Sequence, residues 1–404
     1  MPVTLDDVRA AEKLLAGVAV RTPVEPSRAL SALIGRQVVL KCENLQRAGS
    51  FKIRGAYVRI ARLSAEERVH GVVAASAGNH AQGVALAASL LGTTATVFMP
   101  EGAPLPKLAA TREYGARIEL AGTSVESALV AAHAYAERVG AVLIHPFDHP
   151  DIVAGQGTLG LEVLEQVPDA TTIVIPVGGG GLVAGVALAA RAINPSIRVI
   201  GVQSERVAPY PQSLRAGRPM SVDAQRTMAD GIAVSRPGDV PYEEIARYVD
   251  RVVTVTEESL SQALLMLLER AKLVVEPAGA AGVAALLEHP DVFADDPGPV
   301  VSVLSGGNID PLLLMNVVRH GLAAAGRFLS FRVRISDRPG SLDELLRILA
   351  EMQVSVLDVV HERTGSTLAI DEVEVTLSVE TRGPEHRFAV EQMLRDHGYV
   401  ITYT

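Results

Sequence analysis

Apolar positions along the chain fall into two kinds of run, and the two alternate. Short, nearly continuous apolar runs predict strands at Gln37–Cys42, Gly71–Ala75, Thr94–Met99, Arg117–Leu120, Ala141–Ile144, Thr172–Val177, Arg198–Gln203, Arg251–Val255 and Val300–Leu304. Longer stretches between them predict helices over Ile53–Leu63, Ala81–Leu91, Lys107–Tyr114, Ser124–Val139, Gly157–Val167, Leu182–Ile193, Ala278–Leu287 and Pro311–Gly321. Thr256-Glu257-Glu258-Ser259 caps a further helix that runs to Ala271. An amphipathic helix with an acidic first turn opens the chain. Ser64-Ala65-Glu66-Glu67 reads as a short turn, and residues 204–240, rich in Pro, Gly and Arg, read as irregular. Strands apolar on both faces, alternating with helices, predict an α/β fold whose mostly parallel sheet is covered on both sides.

The pattern changes near Gly326. Strand Phe328–Ile335, helix Ser341–Met352, strands Val354–Glu362 and Asp371–Glu380, helix Pro384–Gly398 and strand Val400–Thr404 give the order βαββαβ, which is ferredoxin-like. The expected organisation is a main body over residues 1–322, a linker at 323–327 and a small domain at 328–404.

Composition narrows the function classes. The net charge of −9 and the lack of any Lys/Arg-rich run argue against nucleic acid as a partner. The single cysteine, Cys42, excludes an internal disulfide framework and a multi-cysteine metal site, and reads as a buried structural thiol. The uncharged run Thr171–Ala190 has membrane-spanning length. Pro176 and the glycines at 178–181 and 185 divide it into strand, loop and helix instead. With no signal-peptide apolar core at the N-terminus, a cytoplasmic protein is expected, with no membrane partner.

Four loops carry candidate chemistry. Each follows a predicted strand, where parallel α/β sheets gather ligands. In Ser50-Phe51-Lys52-Ile53-Arg54-Gly55-Ala56, one of only five lysines stands between a strand end and a helix start, a rigid yet accessible place for an amine that forms a Schiff base. The ordinary alternative is a surface lysine. Ser76-Ala77-Gly78-Asn79-His80 offers backbone N–H groups to a carboxylate, and the Asn79 amide suits a phenolic or hydroxyl oxygen; the alternative is a tight turn. Gly178-Gly179-Gly180-Gly181-Leu182 lets successive amides converge on one anion, most naturally a phosphate. Its spacing is not the dinucleotide fingerprint, no Walker lysine follows, and backbone dipoles supply the attraction. Ser305-Gly306-Gly307-Asn308 by itself is an ordinary turn. An amine, a phosphate cradle, a carboxylate cradle and a hydroxyl form the set that pyridoxal phosphate and an amino-acid substrate require.

On these loops, together with Arg21-Thr22-Pro23, Lys41-Cys42-Glu43-Asn44-Leu45-Gln46 and Ala154-Gly155-Gln156-Gly157-Thr158, the chain resembles the pyridoxal-phosphate-dependent threonine dehydratases. These share fold type II with tryptophan synthase β. The C-terminal segment resembles an ACT domain, whose ligand-facing loop Asp337-Arg338-Pro339-Gly340-Ser341-Leu342 matches. The resemblance implies a two-lobed catalytic domain over 1–322, with a smaller lobe inserted at about 45–145. It implies that Lys52 holds the cofactor and acts as catalytic base, Phe51 lies against the ring, and Asn79 binds the ring's 3′ oxygen. Gly178, Gly179, Gly180, Gly181 and Leu182 would hold the phosphate, and Ser305 would face the pyridine nitrogen. Ser76, Ala77, Gly78, Asn79 and His80 would take the substrate carboxylate.

The implied reaction is α,β-elimination of L-threonine to 2-oxobutanoate and ammonia, with L-serine giving pyruvate. An effector such as isoleucine or valine at the ACT domain and a homo-oligomer, dimer or tetramer, are implied too. A hydroxyl at position 305, unlike a carboxylate, leaves the pyridine nitrogen unprotonated and favours expulsion of a β leaving group. Two alternatives stand beside this reading: a serine racemase or serine dehydratase of the same fold, and an amino-acid sensor with a vestigial catalytic body. Racemases of this kind need a serine where this chain has Ala77. They also use acidic metal ligands in the stretch Gln203–Pro209, where only Glu205 is acidic. Dehydration therefore ranks above racemisation, and no metal is expected. His80 reads as packed or substrate-adjacent. The group His145, Asp148, His149 and Asp151, interrupted by Pro146 and Pro150, reads as a solvated loop, and Glu276 as an N-terminal or network carboxylate.

Overall fold

A computed structural model describes residues 2–294, 298–363 and 368–403. Its fold class is the expected one: α/β with mostly parallel sheets, followed by an antiparallel sheet near the C-terminus. Two compact units divide at Pro311/Leu312, so helix Pro311–Ala324 groups almost wholly with the second unit. The pattern change near Gly326 had set the expected boundary at 322.

The first unit contains two sheets. The larger runs Val24–Pro26, Val38–Lys41, Val300–Val303, Thr172–Pro176, Arg198–Ser204, Arg251–Val255. It is parallel except for its first edge strand, which pairs antiparallel with Val38–Lys41. The smaller runs Arg117–Leu120, Ala95–Met99, Val72–Ala75, Val142–Leu143 and is parallel throughout. The central strands are buried on both faces, as their continuous apolar runs require.

Small residues let the helices approach closely. A Cβ at Gly155 would lie 2.7 Å from the Gly55 Cα, so helices Lys52–Ala61 and Pro150–Gln166 cross nearly backbone to backbone. Beside this crossing lies a buried ion cluster. Arg54 donates through Nε and Nη2 to Glu43 at 2.8 and 2.9 Å, and through Nη1 to Glu162 at 2.7 Å. Lys41 Nζ reaches Glu162 at 2.7 Å. The cluster ties the helix that begins at Lys52 to the strand Val38–Lys41 and to the long helix.

Several elements differ from expectation. The stretch expected to be irregular contains helix Pro209–Ala216, started by its proline and stopped by the left-handed Gly217, and the start of helix Asp239–Tyr248. The helix expected from Gly157 begins at Pro150, where the proline occupies the first turn and His149 caps it. Ser64 opens a helix, Ala65–His70, through a reciprocal capping box. Helix Arg28–Ile34, capped by Ser27 and Gly35, was too short to show a periodicity. The helix after Thr256 is α-helical to Met266 and then widens into a π turn that ends at the left-handed Lys272.

The second unit carries an antiparallel sheet ordered Ser355–Glu362, Glu372–Glu380, Phe328–Ser336, Ile401–Tyr403, with helices Ser341–Glu351 and Pro384–Asp396. Alternate residues of Phe328–Ser336 and Glu372–Glu380 are buried, the period-two pattern of a sheet covered on one face. Thr404, expected to end the last strand, lies outside the described residues.

Candidate active site

Phe51, Lys52, the loop Ser76–His80, the loop Gly178–Leu182 and Ser305 all line one cavity of about 550 Å³. Ser50 bridges to Gly306, and the Phe51 N–H donates to the Ser305 carbonyl at 3.2 Å. This staple sets the turn that starts helix Lys52–Ala61 against the end of strand Val300–Val303. Lys52 Nζ donates to the Pro146 carbonyl at 3.1 Å and sits 5.1 Å from the Phe51 ring centroid. Burial pulls the Lys52 amine down to about 8, with the nearby Glu276 carboxyl opposing the shift.

Asn79 opens helix Asn79–Leu90. Its Nδ2 donates to Glu276 Oε1 at 2.6 Å, and its Oδ1 accepts from Asn308 Nδ2 at 2.8 Å. The amide is thus held at both ends, with its O and N assignment fixed by the partners. Glu276 precedes helix Pro277–Glu288, yet its side chain makes no capping bond and reaches Asn79 instead. It is therefore the network carboxylate of the two roles expected for it. Burial first, then the charge of Asp230, raises Glu276 to about 7, while the Asn79 hydrogen bond opposes. A Cβ at Gly306 would fall 2.2 Å from Glu276 Oε1, so the glycine leaves room for this carboxyl.

The glycine loop ends strand Thr172–Pro176 and opens helix Gly181–Ile193. Among the described residues no protein acceptor takes the N–H groups of Gly178–Gly181. The Gly179 carbonyl is held by the Tyr210 hydroxyl at 2.9 Å and by the Gly238 N–H at 3.1 Å. Gly180 has φ +102°, and a Cβ there would sit 2.0 Å from the Tyr210 oxygen. One at Gly179 would sit 2.4 Å from the Phe147 ring. Free amides at a helix N-terminus, with no side chain between them, make an anion site.

The expected solvated loop is instead ordered and half-buried. His145 Nδ1 accepts the N–H groups of Asp148 at 2.8 Å and Phe147 at 3.3 Å. Asp148 Oδ1 accepts from the Val240 N–H at 2.9 Å, and Asp151 pairs with Arg62. The prolines that read as interruptions are a helix start and a carbonyl for Lys52. His80 Nε2 donates to the Ile144 carbonyl at 2.8 Å; burial, then the charge of Lys52, lowers its ring to about 3, so it is neutral. Lys107 and Asp230 pair at 2.8 Å at the cavity wall. Phe147, Tyr210 and this pair gave no sequence signal. Asn308 was visible only as a loop residue.

Comparison with known proteins agrees with this geometry. Residues 16–306 match the family described as "Pyridoxal-phosphate dependent enzyme", and residues 329–388 match the ACT domain. The chain belongs to the pyridoxal-phosphate-dependent enzymes, and it carries a C-terminal ACT domain. It is 47% identical over 399 residues to the L-threonine ammonia-lyase of Thermotoga maritima, covering 99% of each chain. Among solved structures it is similar to maize serine racemase, with TM-score 0.75, 38% identity and coverage of 80% of this chain and 99% of that one. It is also similar to threonine deaminase isoform 2 of Solanum lycopersicum in its processed form, with TM-score 0.74, 34% identity and coverage of 79% and 95%.

The residues present fit the family's cofactor: an amine shifted toward its neutral form, an anion cradle that side chains would fill, and an amide fixed to offer its remaining N–H and lone pair. No helix among the described residues is long and apolar enough to cross a membrane.

Proposed function

We propose that the protein is an ammonia-lyase that eliminates water from L-threonine to give 2-oxobutanoate and ammonia, and converts L-serine to pyruvate. The observation that carries this reading is the convergence of Lys52, the glycine cradle and the Ser76–His80 loop on one cavity, in a chain that aligns end to end with an L-threonine ammonia-lyase. Catalysis is placed in residues 1–322 and sensing in 328–404.

Gly178–Leu182 would hold the cofactor phosphate, Asn79 the ring oxygen, Phe51 the ring face and Ser305 the pyridine nitrogen. When bound, the cofactor supplies an electron sink beside the substrate Cα. The N–H groups of Ala77, Asn79 and His80, at a helix N-terminus, bind the substrate carboxylate, while those of Ser76 and Gly78 are taken by the Phe98 carbonyl and the Ser76 hydroxyl. Lys52 takes the Cα proton; burial lowers its amine to about 8, toward the neutral form that a general base needs. The β-hydroxyl leaves as water, taking up the proton that Lys52 removed from Cα, and the released enamine tautomerises and is hydrolysed by water to the oxo acid and ammonia. Ala77 offers no proton donor from the carboxylate loop, which favours elimination over racemisation.

The ACT domain is assigned an amino-acid effector, isoleucine or valine. A homo-oligomer in the cytoplasm is the proposed setting, consistent with the lone buried Cys42. Steady-state turnover of L-threonine, with and without isoleucine or valine, tests substrate and regulation together. Lys52→Ala is expected to lose both the visible absorbance and the activity. A wild type that makes no 2-oxobutanoate refutes the assignment, and rates indifferent to every amino acid added refute the effector.

A further inference from the structure

Two neutral imidazoles line the cavity near Lys52, and they present opposite faces. His80 spends its N–H on the Ile144 carbonyl. His145 is the reverse. Its Nδ1 accepts two backbone N–H groups, from Asp148 at 2.8 Å and Phe147 at 3.3 Å, so that nitrogen holds a lone pair and the hydrogen lies on Nε2. Nε2 has no protein acceptor among the described residues, and the residue lines the cavity. The ring is fixed edge-on against Phe147, with centroids 4.6 Å apart at 89°. The next residue's carbonyl, Pro146, is the resting partner of Lys52 Nζ. A rigid N–H donor therefore stands one residue from the group that holds the catalytic amine, and nothing among the described residues uses it.

The chemistry of its ligand follows from how it is held. A histidine that serves an anionic phosphate or carboxylate gains most as an imidazolium, whose charge strengthens the bond. His145 cannot take a second proton without breaking both hydrogen bonds to Nδ1. Burial, followed in order by the opposing charge of Asp148 and the charge of Lys52, leaves its pKa lowered to about 4. A donor locked in the neutral state suits a neutral oxygen. Building on the lyase reading above, we propose that His145 Nε2–H donates to the β-hydroxyl of the substrate and so selects β-hydroxy amino acids. It holds and polarises the departing oxygen. It does not supply the proton, because a neutral imidazole N–H is far too weak an acid.

Two substitutions separate this role from a structural one. His145→Asn keeps an acceptor where Nδ1 stands and removes the donor at Nε2; His145→Gln does the opposite. β-Chloro-L-alanine has a leaving group that needs no such bond. In the holoenzyme, His145→Asn is expected to lower kcat/KM for L-threonine about 5- to 100-fold, the range for a desolvated polar group left without its partner. It should lower kcat/KM for β-chloro-L-alanine several-fold less. His145→Gln should recover part of the L-threonine rate.

A second readout does not depend on turnover. In isotope-labelled histidine NMR spectra, the His145 Nε2–H resonance should shift when α-methyl-L-serine binds, since that analogue has the hydroxyl and lacks the α-hydrogen. Equal losses on both substrates, an unaffected L-threonine rate or an unmoved resonance overturns the proposal while leaving the lyase assignment in place. A wild type that eliminates from β-chloro-L-alanine but not from L-threonine or L-serine overturns both.

Discussion

Replacing Arg54 with methionine tests whether the buried ion cluster holds the helix that begins at Lys52. Arg54 and Glu43 are essentially inaccessible to solvent. Removal of the guanidinium leaves Glu43 with one hydrogen bond, from the Thr22 hydroxyl at 2.6 Å, while Glu162 keeps Lys41. Burial alone would raise the Glu43 carboxyl, but the Arg54 charge and hydrogen bonds, then Thr22 and Lys41, hold it below its ordinary value. Breaking a buried pair from one side costs about 3–5 kcal/mol, because the remaining charge is stranded. Arg54→Met should therefore lower the stability of the first unit by about 3–5 kcal/mol, read as a fall in urea midpoint at unchanged m.

The partner substitution Glu43→Gln keeps the Thr22 contact and removes the stranded charge. The double variant should recover about 1–3 kcal/mol relative to Arg54→Met. The sign with pH follows from the lowered Glu43 pKa. The contribution is present above the unfolded value and is lost as pH falls through the folded one, so wild type and Arg54→Met should converge in acid. A loss below about 1 kcal/mol, or a double variant no more stable than Arg54→Met, refutes the reasoning.

Two further outcomes are expected. Gly180→Ala forces a side chain into a left-handed backbone with its Cβ 2.0 Å from the Tyr210 hydroxyl. It should weaken cofactor retention by at least about tenfold in an absorbance titration, and wild-type affinity would contradict the cradle. Glu276 is raised from 4.5 to about 7, so the folded state binds its proton more tightly. The stability this contributes is complete below the unfolded value and is lost as pH rises to about 7, a swing of about 3 kcal/mol. Glu276→Gln apoenzyme should gain on wild type across that interval; a constant difference would refute the raised pKa.

Every strand but the short edge strand Val24–Pro26, and most helices, were legible because burial writes itself into a chain as periodicity: continuous apolar runs for strands covered twice, three- and four-residue spacing for helices. Helices Pro209–Ala216 and Arg28–Ile34 escaped because seven or eight residues give too few turns for a period to register. Pro150 misled for a local reason. A proline ends a helix when it falls inside one and starts a helix when it stands in the first turn, and only the cap by His149 distinguishes the two.

The sequence by itself determined the fold class and the strand-end loops in which a ligand site of an α/β protein must lie. Both follow from residues adjacent in the chain. Glycines declare where a backbone stays bare, and a lysine at a helix start declares an accessible amine. Tertiary structure alone decided what those groups touch. Glu276 meets Asn79 across 197 positions, Asn308 meets Asn79 across 229, and Lys52 finds its carbonyl 94 positions away at Pro146. Periodicity records that a face is buried but not against which element, and pKa values, tautomers and cradles depend on that second fact. Hence Lys52 could be marked from seven residues only as a candidate beside the surface-lysine alternative, while the neutral imidazole beside its resting place appeared only once the chain had closed around it.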